Sequence, residues 1–379
     1  MKQALALFLA VTIAALSGCG GSGSSAAPAS AVAPAVPSSA VSAVSEAVSN
    51  AASPSATRTF TDSAGRTVEI PAAPSRIAPS GPLAQIALFA LAPDQLVCLS
   101  TKWDKRSTEY IGAAYLQLPV VGQLYGTKGT LNLEGLAAVE PQLVIDIGEA
   151  KKTVAEDMDA LQQQVGVPTV FIEATTATMG DAYRMLGELL GMPDKAKVLA
   201  DYCDEIYGKT TVLMQTVGES KAKILYCLGE SGSSVIANGS YHAEVLDLLS
   251  DNVAVLDNPT SKGTGNEVDF EQLYQWKPEV ILFAPDGAYA KVEGDPRWQE
   301  LEPIAAHRYY EVPSGPYNWI GFPPSVNRYM GMIWLSELLY PEQAEYDLLA
   351  EALRHYELFY HCKLTPAQYD RLLQNAMPK

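Results

Sequence analysis

Short apolar runs alternate with segments of helical period between about residue 76 and residue 313. Between the runs lie helical patterns such as LAQIALFAL (83–91) and AEVLDLLS (243–250). Buried strands separated by helices are typical of parallel α/β layers. The apolar runs fall into one group within 76–174 and another within 223–313, which predicts two α/β lobes. The apolar runs are RIAPS (76–80), LVCLS (96–100), LVIDIG (143–148), TVFIEA (169–174), KILYCLG (223–229), EVILFAP (279–285) and YYEVP (309–313).

A long helix is predicted between the two groups of strands. From residue 193 to residue 217, apolar and small residues recur at steps of three and four, and Asp194 lies in the first turn, where acidic residues are favoured. About 24 residues extend roughly 36 Å, which is long enough to cross from one lobe to the other. We therefore expect lobes over 58–192 and 220–379 joined by a helix within 193–219. A surface helix within one lobe is the alternative.

The first 18 residues predict a secretion signal. Lys2 precedes an uninterrupted apolar run, and Leu16-Ser17-Gly18 precedes Cys19. Such a run is too short for a typical membrane span. The small residues before Cys19 resemble the bacterial lipobox, which implies cleavage before Cys19 and acylation of its thiol. An ordinary signal peptide with a chance cysteine is the alternative.

The next segment, residues 19–57, predicts a flexible linker. After Cys19 it contains one charged residue, Glu46, and no aromatic residue. A segment of Ala, Ser, Pro, Gly and Val buries too little apolar area to offset its chain entropy. We expect it to tether a globular body to the lipid anchor.

The net charge of the chain is −17, which argues against nucleic acid or an anionic lipid surface as a partner. Besides Cys19 the sequence contains Cys98, Cys203, Cys227 and Cys362, and no pair has the CxxC spacing of metal or redox motifs. Disulfides are permitted outside the cytoplasm, and the pairing stays open.

A motif is repeated once in each half. LNLEGLAAVEPQLVIDIG (131–148) and VDFEQLYQWKPEVILFAP (268–285) share a glutamate, a leucine two residues later, and a proline before a buried strand. This pair resembles the class III solute-binding lipoproteins of ABC importers for ferric siderophores, haem and cobalamin. The resemblance covers residues 58 to 340. It extends to FTDSAGRTVEIPAAPSRI (60–77), LGELLGMPDKAKVLADYCDEI (186–206) and DPRWQELEPIAAHRYYEVP (295–313).

The resemblance implies two Rossmann-like lobes joined by a single long interlobe helix, with the ligand in the cleft between them. It implies an extracytoplasmic, lipid-anchored protein without a cofactor of its own, which delivers an iron or cobalt chelate to an ABC permease and its ATPase. Glu134 and Glu271 would dock onto arginines of the permease. An enzyme is the competing class, but the sequence has no GxSxG, HExxH, GxxxxGK[ST] or dinucleotide fingerprint.

The segment GPYNWIGFPPSVNR (315–328) is expected to line that cleft. Its prolines disfavour a helix before Ser325, so it predicts an aromatic loop that leads into a helix. Tyr317 and Trp319 would present flat faces to a ligand beside Asn318, and Arg328 would pair with an anionic group. A packed aromatic corner with a solvated arginine is the alternative.

Further candidates come from both lobes. In NGSYHAEVLDLL (238–249), Tyr241 and His242 begin a helix, and the resemblance makes His242 and Tyr317 possible metal ligands. An arginine at a helix start also suits a small oxyanion such as molybdate or tungstate, so the ligand stays open. The candidates from the first lobe are Ser80, Trp103, Tyr125 and Lys128.

Overall fold

A computed structural model describes residues 56–123, 130–260 and 263–378. The predicted signal peptide, Cys19 and all but two residues of the predicted linker lie outside this range. Thr57 already belongs to a strand, so the globular body begins slightly earlier than expected.

The first lobe contains a hairpin and a parallel sheet. The strands β1 (Thr57–Thr61) and β2 (Thr67–Pro71) pair antiparallel. The sheet has the order β3 (Ile77–Pro79), β4 (Leu143–Gly148), β5 (Thr169–Glu173), all parallel. The segment 96–100, which the sequence predicted as a strand, forms only isolated bridges, between Leu96 and Ile77 and between Leu99 and Val120. The helices are α1 (Pro82–Leu91), α2 (Ala113–Leu116), α3 (Leu133–Ala138), α4 (Val154–Val165) and α5 (Met179–Leu190).

A 25-residue helix, α6 (Pro193–Val217), follows the first lobe. It has Pro193 in its first turn and ends at Gly218, whose φ of 59° suits glycine. Its buried face contacts α5 of the first lobe and helices of the second. The helix therefore lies against both lobes.

The second lobe contains a six-stranded sheet of order β11-β10-β6-β7-β9, with β8 also pairing to β6. The contacts of β6 with β8 and β10, and of β10 with β11, are parallel, whereas β7 pairs antiparallel with β6 and β9. The strands are β6 (Lys223–Leu228), β7 (Ser234–Val235), β8 (Asp251–Asn252), β9 (Asn266–Glu267), β10 (Val280–Phe283) and β11 (Tyr309–Glu311). The helices are α7 (Glu244–Leu249), α8 (Phe270–Trp276), α9 (Pro296–Gln299), α10 (Glu302–Ala305), α11 (Asn327–Leu339), α12 (Leu348–Tyr360) and α13 (Pro366–Leu373).

The last thirty residues, within the predicted second lobe of 220–379, also contact the first lobe. The helix α12 packs against α1 of the first lobe, and the ring of Phe359 lies 6.0 Å from that of Tyr183. Arg371 in α13 pairs with Glu109 of the first lobe. The C-terminal residues also contact the second lobe, because Trp334 Nε1 in α11 donates a hydrogen bond to the carbonyl of Ala376 at 2.9 Å. The buried aromatic face of α12 drives this packing across both lobes.

The α/β class with parallel sheets in two lobes is confirmed. Cys98, Cys203, Cys227 and Cys362 are free thiols. Within 56–123, 130–260 and 263–378, no helix combines the length and the apolar character needed to cross a bilayer.

Candidate ligand cleft

A cavity of about 390 Å³ lies between the lobes, and we call it the aromatic cavity. The first lobe contributes Asp104 and Arg106, and the second contributes the strand ends and the loop before α11. Three aromatic side chains give this cavity its character, as expected for a pocket that binds an organic ligand. The lining residues are Asp104, Arg106, Tyr226, Leu228, Gly229, Gly263, Thr264, Ala284, Pro285, Ser314, Tyr317, Asn318 and Phe322.

Asn318 fixes the shape of the aromatic loop. Its Nδ2 donates to the Tyr226 hydroxyl at 2.8 Å, and its Oδ1 accepts from the backbone N–H of Ile320 at 2.8 Å. The Asn327 amide donates to the backbone carbonyl of Asn318. Asn318 therefore lines the cavity and at the same time anchors the loop to β6.

Tyr317 lines the aromatic cavity. Its ring lies 6.1 Å from that of Trp103, and burial raises the pKa of its phenol well above the ordinary value. The phenol is therefore protonated at neutral pH, and a metal would have to displace the proton to bind it.

The structure corrects the expectation for the two tryptophans. Trp319 is 1% exposed, and its Nε1 donates to the Tyr356 hydroxyl at 3.3 Å. Trp103 donates to the carbonyl of Tyr115 at 3.1 Å and packs edge-on against Phe89. Both side chains lie in the apolar core behind the cavity wall, because their large apolar area is best buried there. Neither presents a free face to a ligand.

Arg328 is likewise engaged inside the protein, which corrects its expected role as an anion partner. It is 2% exposed, and its Nη1 contacts Glu244 Oε2 at 2.6 Å and Thr176 Oγ1 at 3.1 Å. Its Nη2 donates to the carbonyl of Tyr241, and the guanidinium lies 4.6 Å from the centre of the Tyr241 ring. A desolvated guanidinium needs such partners, and Glu244 supplies the opposite charge.

His242 lies immediately behind the aromatic cavity. Its ring stacks on that of Phe322 at 4.9 Å and 20°, and its Nδ1 lies 3.3 Å from the carbonyl oxygen of Gly321. Because a carbonyl only accepts, this contact places the proton on Nδ1 and leaves a lone pair on Nε2. Burial lowers the pKa of His242, which favours the neutral imidazole. Across the described ranges, no group of three or more His, Cys, Asp or Glu residues is arranged to hold a metal ion.

A second cavity, of about 370 Å³, lies at the carboxyl ends of β3 and β4, and we call it the strand-end cavity. The predicted residues Ser80 and Tyr241 line it, together with Asp146, which the sequence reading missed. Ser80 Oγ donates to Asp146 Oδ1. The available signal was an acidic residue inside the otherwise apolar run LVIDIG. Tyr125 and Lys128 lie outside the described residues.

Two ion pairs connect the lobes at the edge of the aromatic cavity. Arg106 Nη2 lies 2.5 Å and Lys105 Nζ lies 3.0 Å from Asp286 Oδ2. Lys105 and Arg106 belong to the first lobe and Asp286 follows β10 in the second. Sequence reasoning missed these residues because pairing between distant loops leaves no local pattern.

Glu134 and Glu271 are exposed and occupy equivalent positions in the first turns of α3 and α8. Each helix is capped by the side chain two residues earlier: Asn132 accepts from Gly135 N at 2.9 Å, and Asp269 accepts from Gln272 N at 2.8 Å. The repeated motif thus forms the same capped helix in both lobes.

Several solved structures have this fold. An ABC transporter solute-binding protein from Sulfurospirillum deleyianum is 22% identical with a TM-score of 0.77, covering 84% of this chain and 99% of that one. A molybdate periplasmic binding protein from Haemophilus influenzae, solved with molybdate, is 19% identical with a TM-score of 0.64, covering 82% and 99%. CeuE from Helicobacter pylori, solved in a nickel–histidine complex, is 16% identical with a TM-score of 0.59, covering 83% and 99%.

No curated protein matches the chain. The model of a family described as periplasmic binding protein matches residues 88–316, which is more than half of the sequence. This match and the shared fold confirm the resemblance inferred from the repeated motif. The chain therefore belongs to the periplasmic binding protein family.

Proposed function

We propose that this protein captures a metal chelate, namely a ferric siderophore, haem or a corrinoid, and delivers it to an ABC permease and its ATPase. Membership of the family makes it an extracytoplasmic solute-binding protein rather than an enzyme. The main support for a chelate as the ligand is the aromatic cavity wall between the lobes, formed by Tyr226, Tyr317 and Phe322. Aromatic faces supply broad contact area, which suits a bulky organic chelate better than a bare ion.

His242 supports a ligand that contains a metal. A neutral imidazole with its lone pair on Nε2 is a good ligand for iron or cobalt. The imidazole lies against Phe322 and beside Gly263, both of which line the aromatic cavity. A chelate with an open coordination position would thus find a nitrogen donor near the wall. Tyr317 is the second candidate, although its raised pKa makes it the weaker one.

A small oxyanion is the alternative ligand, and the charges near the cavity do not favour it. Arg328 is paired with Glu244 and buried away from the aromatic cavity. Arg106 lines the cavity but is bonded to Asp104 and Asp286, and Asp104 lines it as well. A carboxylate in the wall would repel molybdate or tungstate.

Glu134 and Glu271 are proposed as the residues that dock onto the permease. Both carboxylates are exposed on equivalent capped helices of the two lobes. Two separated charges of this kind would set the orientation of the protein on its partner through charge pairs.

Acylation of Cys19 is proposed to hold the protein at the membrane. The support is the lipobox-like sequence before Cys19. Replacement of Cys19 by serine should release the protein from the membrane fraction. Sedimentation of that variant with membranes would exclude the lipid anchor.

The ligand class is tested on protein purified from its own cells. We expect iron or cobalt in stoichiometric amount and a visible absorption band that Tyr317→Phe or His242→Ala shifts if either residue contacts the metal. Protein without colour that carries molybdenum or tungsten would contradict the proposal.

A further inference from the structure

Asp146 has an unusual environment at the end of β4. Its side chain is 5% exposed, and it lines the strand-end cavity. Oδ1 accepts a hydrogen bond from Ser80, whereas Oδ2 has no partner among the described residues. A buried carboxylate oxygen without a donor is unfavourable, so such a group at a cavity calls for a donor from outside the chain.

The charge of the cavity indicates what kind of donor. Asp146 and Glu149 contribute two negative charges and Lys151 one positive charge, which leaves a net charge of about −1 among the lining residues that the structure describes. Among the described residues of the wall, the remaining titratable group is Tyr241, whose burial raises its pKa to about 12, so it is neutral. Burial raises the pKa of Asp146 to about 6, against the opposing effects of the Ser80 hydroxyl, Lys151 and the backbone N–H of Ile147, and the carboxylate is mostly ionised at neutral pH.

The position in the fold also favours a ligand. Ser80 follows β3 and Asp146 lies in the carboxyl-terminal half of the parallel neighbour β4, so both lie towards the carboxyl edge of the sheet. Open α/β sheets bind ligands at this edge. Tyr241 comes from the second lobe, so the strand-end cavity, like the aromatic cavity, has walls from both lobes.

We propose that Asp146 accepts a hydrogen bond from an ammonium group of the bound solute in the strand-end cavity. The inference rests on the proposed function and narrows it, because the chelate would then carry a protonated amine. Oδ2 is the acceptor, Ser80 holds the carboxylate through Oδ1, and the net negative charge of the wall favours a cation over a neutral hydroxyl.

The first test uses n-propylammonium chloride, which contains no metal and so does not depend on the chelate hypothesis. The protein is labelled with ¹³C at the aspartate carboxyl carbons and measured by ¹³C NMR. The Asp146 resonance is assigned as the one that is missing from the spectrum of Asp146→Asn. Should that variant not fold, Ser80→Ala identifies the resonance by shifting it. Tetramethylammonium chloride, which has no N–H, and 1-propanol, which has no charge, are the matched probes.

We expect n-propylammonium to shift the Asp146 resonance and to move its titration to lower pH, because a nearby cation stabilises the carboxylate. Its affinity, measured by calorimetry because Asp146→Asn lacks the reporting resonance, should be about tenfold or more weaker in that variant. Glu173→Gln, which removes an exposed carboxylate at the end of the neighbouring strand β5, should behave like the wild type. An unmoved Asp146 resonance, or an equal response to 1-propanol, would overturn the proposal.

The second test compares ferrioxamine B, a ferric chelate with a pendant ammonium group, with its N-acetyl derivative. The acetylated chelate should bind the wild type about tenfold more weakly, and the two should bind Asp146→Asn equally. Equal binding to the wild type would overturn the ammonium proposal while leaving the chelate function intact. If neither chelate binds, the propylammonium result alone decides on the role of Asp146.

Discussion

Arg328 Nη1 lies 2.6 Å from Glu244 Oε2, and the same nitrogen reaches Thr176 of the first lobe. The adjacent Tyr329 hydroxyl donates to the carbonyl of Thr176 at 2.8 Å. Residues of the loop-to-helix junction thus connect the two lobes behind the cleft. The arginine at the start of α11 is a structural link, although its sequence position suggested a ligand contact.

Arg328→Met should therefore destabilise the protein, because it leaves Glu244 without its partner. Removing one member of a buried pair costs about 3–5 kcal/mol, and the side chain of Glu244 is 27% exposed, so we expect roughly 2–3 kcal/mol. Denaturant unfolding measures the loss. Arg184→Met breaks an exposed ion pair with Asp204 and should cost less than about 1 kcal/mol. Equal stability of the two variants would contradict this role.

Trp319 and Phe322 should respond differently to truncation. Trp319→Ala removes a fully buried ring and should cost about 3–5 kcal/mol of folding free energy. Phe322→Ala removes part of the cavity wall and should weaken chelate binding about tenfold while costing less stability. Thermal unfolding and ligand titration separate the two effects. If Trp319→Ala is as stable as the wild type but no longer binds the chelate, Trp319 contacts the ligand and this account of its role is wrong.

The strand and helix pattern was predictable because it depends on local periodicity. The apolar runs at 143–148, 169–174 and 223–229 became β4, β5 and β6, and the periodic segment after Pro193 became α6. The equivalent positions of Glu134 and Glu271 were also readable, because each follows a capping residue within a repeated motif.

The site was harder to predict because side-chain exposure depends on tertiary packing. Tyr317 and Trp319 are two residues apart in one loop, yet Tyr317 lines the aromatic cavity and Trp319 lies in the core. Asp286 and Arg106 are 180 positions apart and meet only in the folded chain. The crossing of α12 to the first lobe likewise depends on a match between two distant apolar faces.

His355 should make the free energy of unfolding decrease at acidic pH. It is 1% exposed among Tyr202, Phe359 and Tyr360, and neither ring nitrogen has a partner within the described ranges. Burial lowers its pKa from 6.5 to about 3. In the unfolded chain His355 binds a proton below about pH 6.5, while the folded protein keeps it neutral. Its contribution to stability is therefore lost as the pH falls from about 6.5 towards 3.

His355→Phe should reduce the pH dependence of the free energy of unfolding by up to about 1.4 kcal/mol per pH unit below pH 6. Denaturant unfolding between pH 7 and pH 4 measures it. His307→Gln, at an exposed position, is the control and should keep the wild-type slope. Identical slopes for His355→Phe and the wild type would show that His355 is not held neutral.

Reversal of both Glu134 and Glu271 to lysine should lower uptake by about tenfold or more, because attraction to the permease becomes repulsion. Transport of labelled chelate in cells measures uptake, and binding in solution should stay close to that of the wild type. Glu156→Lys with Glu219→Lys introduces the same charge at exposed positions elsewhere and should leave uptake nearly unchanged. Loss of solution binding by a folded Glu134→Lys/Glu271→Lys variant would place these residues in the ligand site.

Direct titration of the purified protein tests the central claim, that the aromatic cavity binds a metal chelate. Ferric siderophores, haem, cobalamin, molybdate and tungstate are added in turn, and binding is followed by tryptophan fluorescence and calorimetry. We predict that one class of chelate binds with a Kd of about 1 µM or tighter, and that Phe322→Ala weakens this binding. Tight binding of molybdate or tungstate, with no response to any of the chelates, would contradict the account.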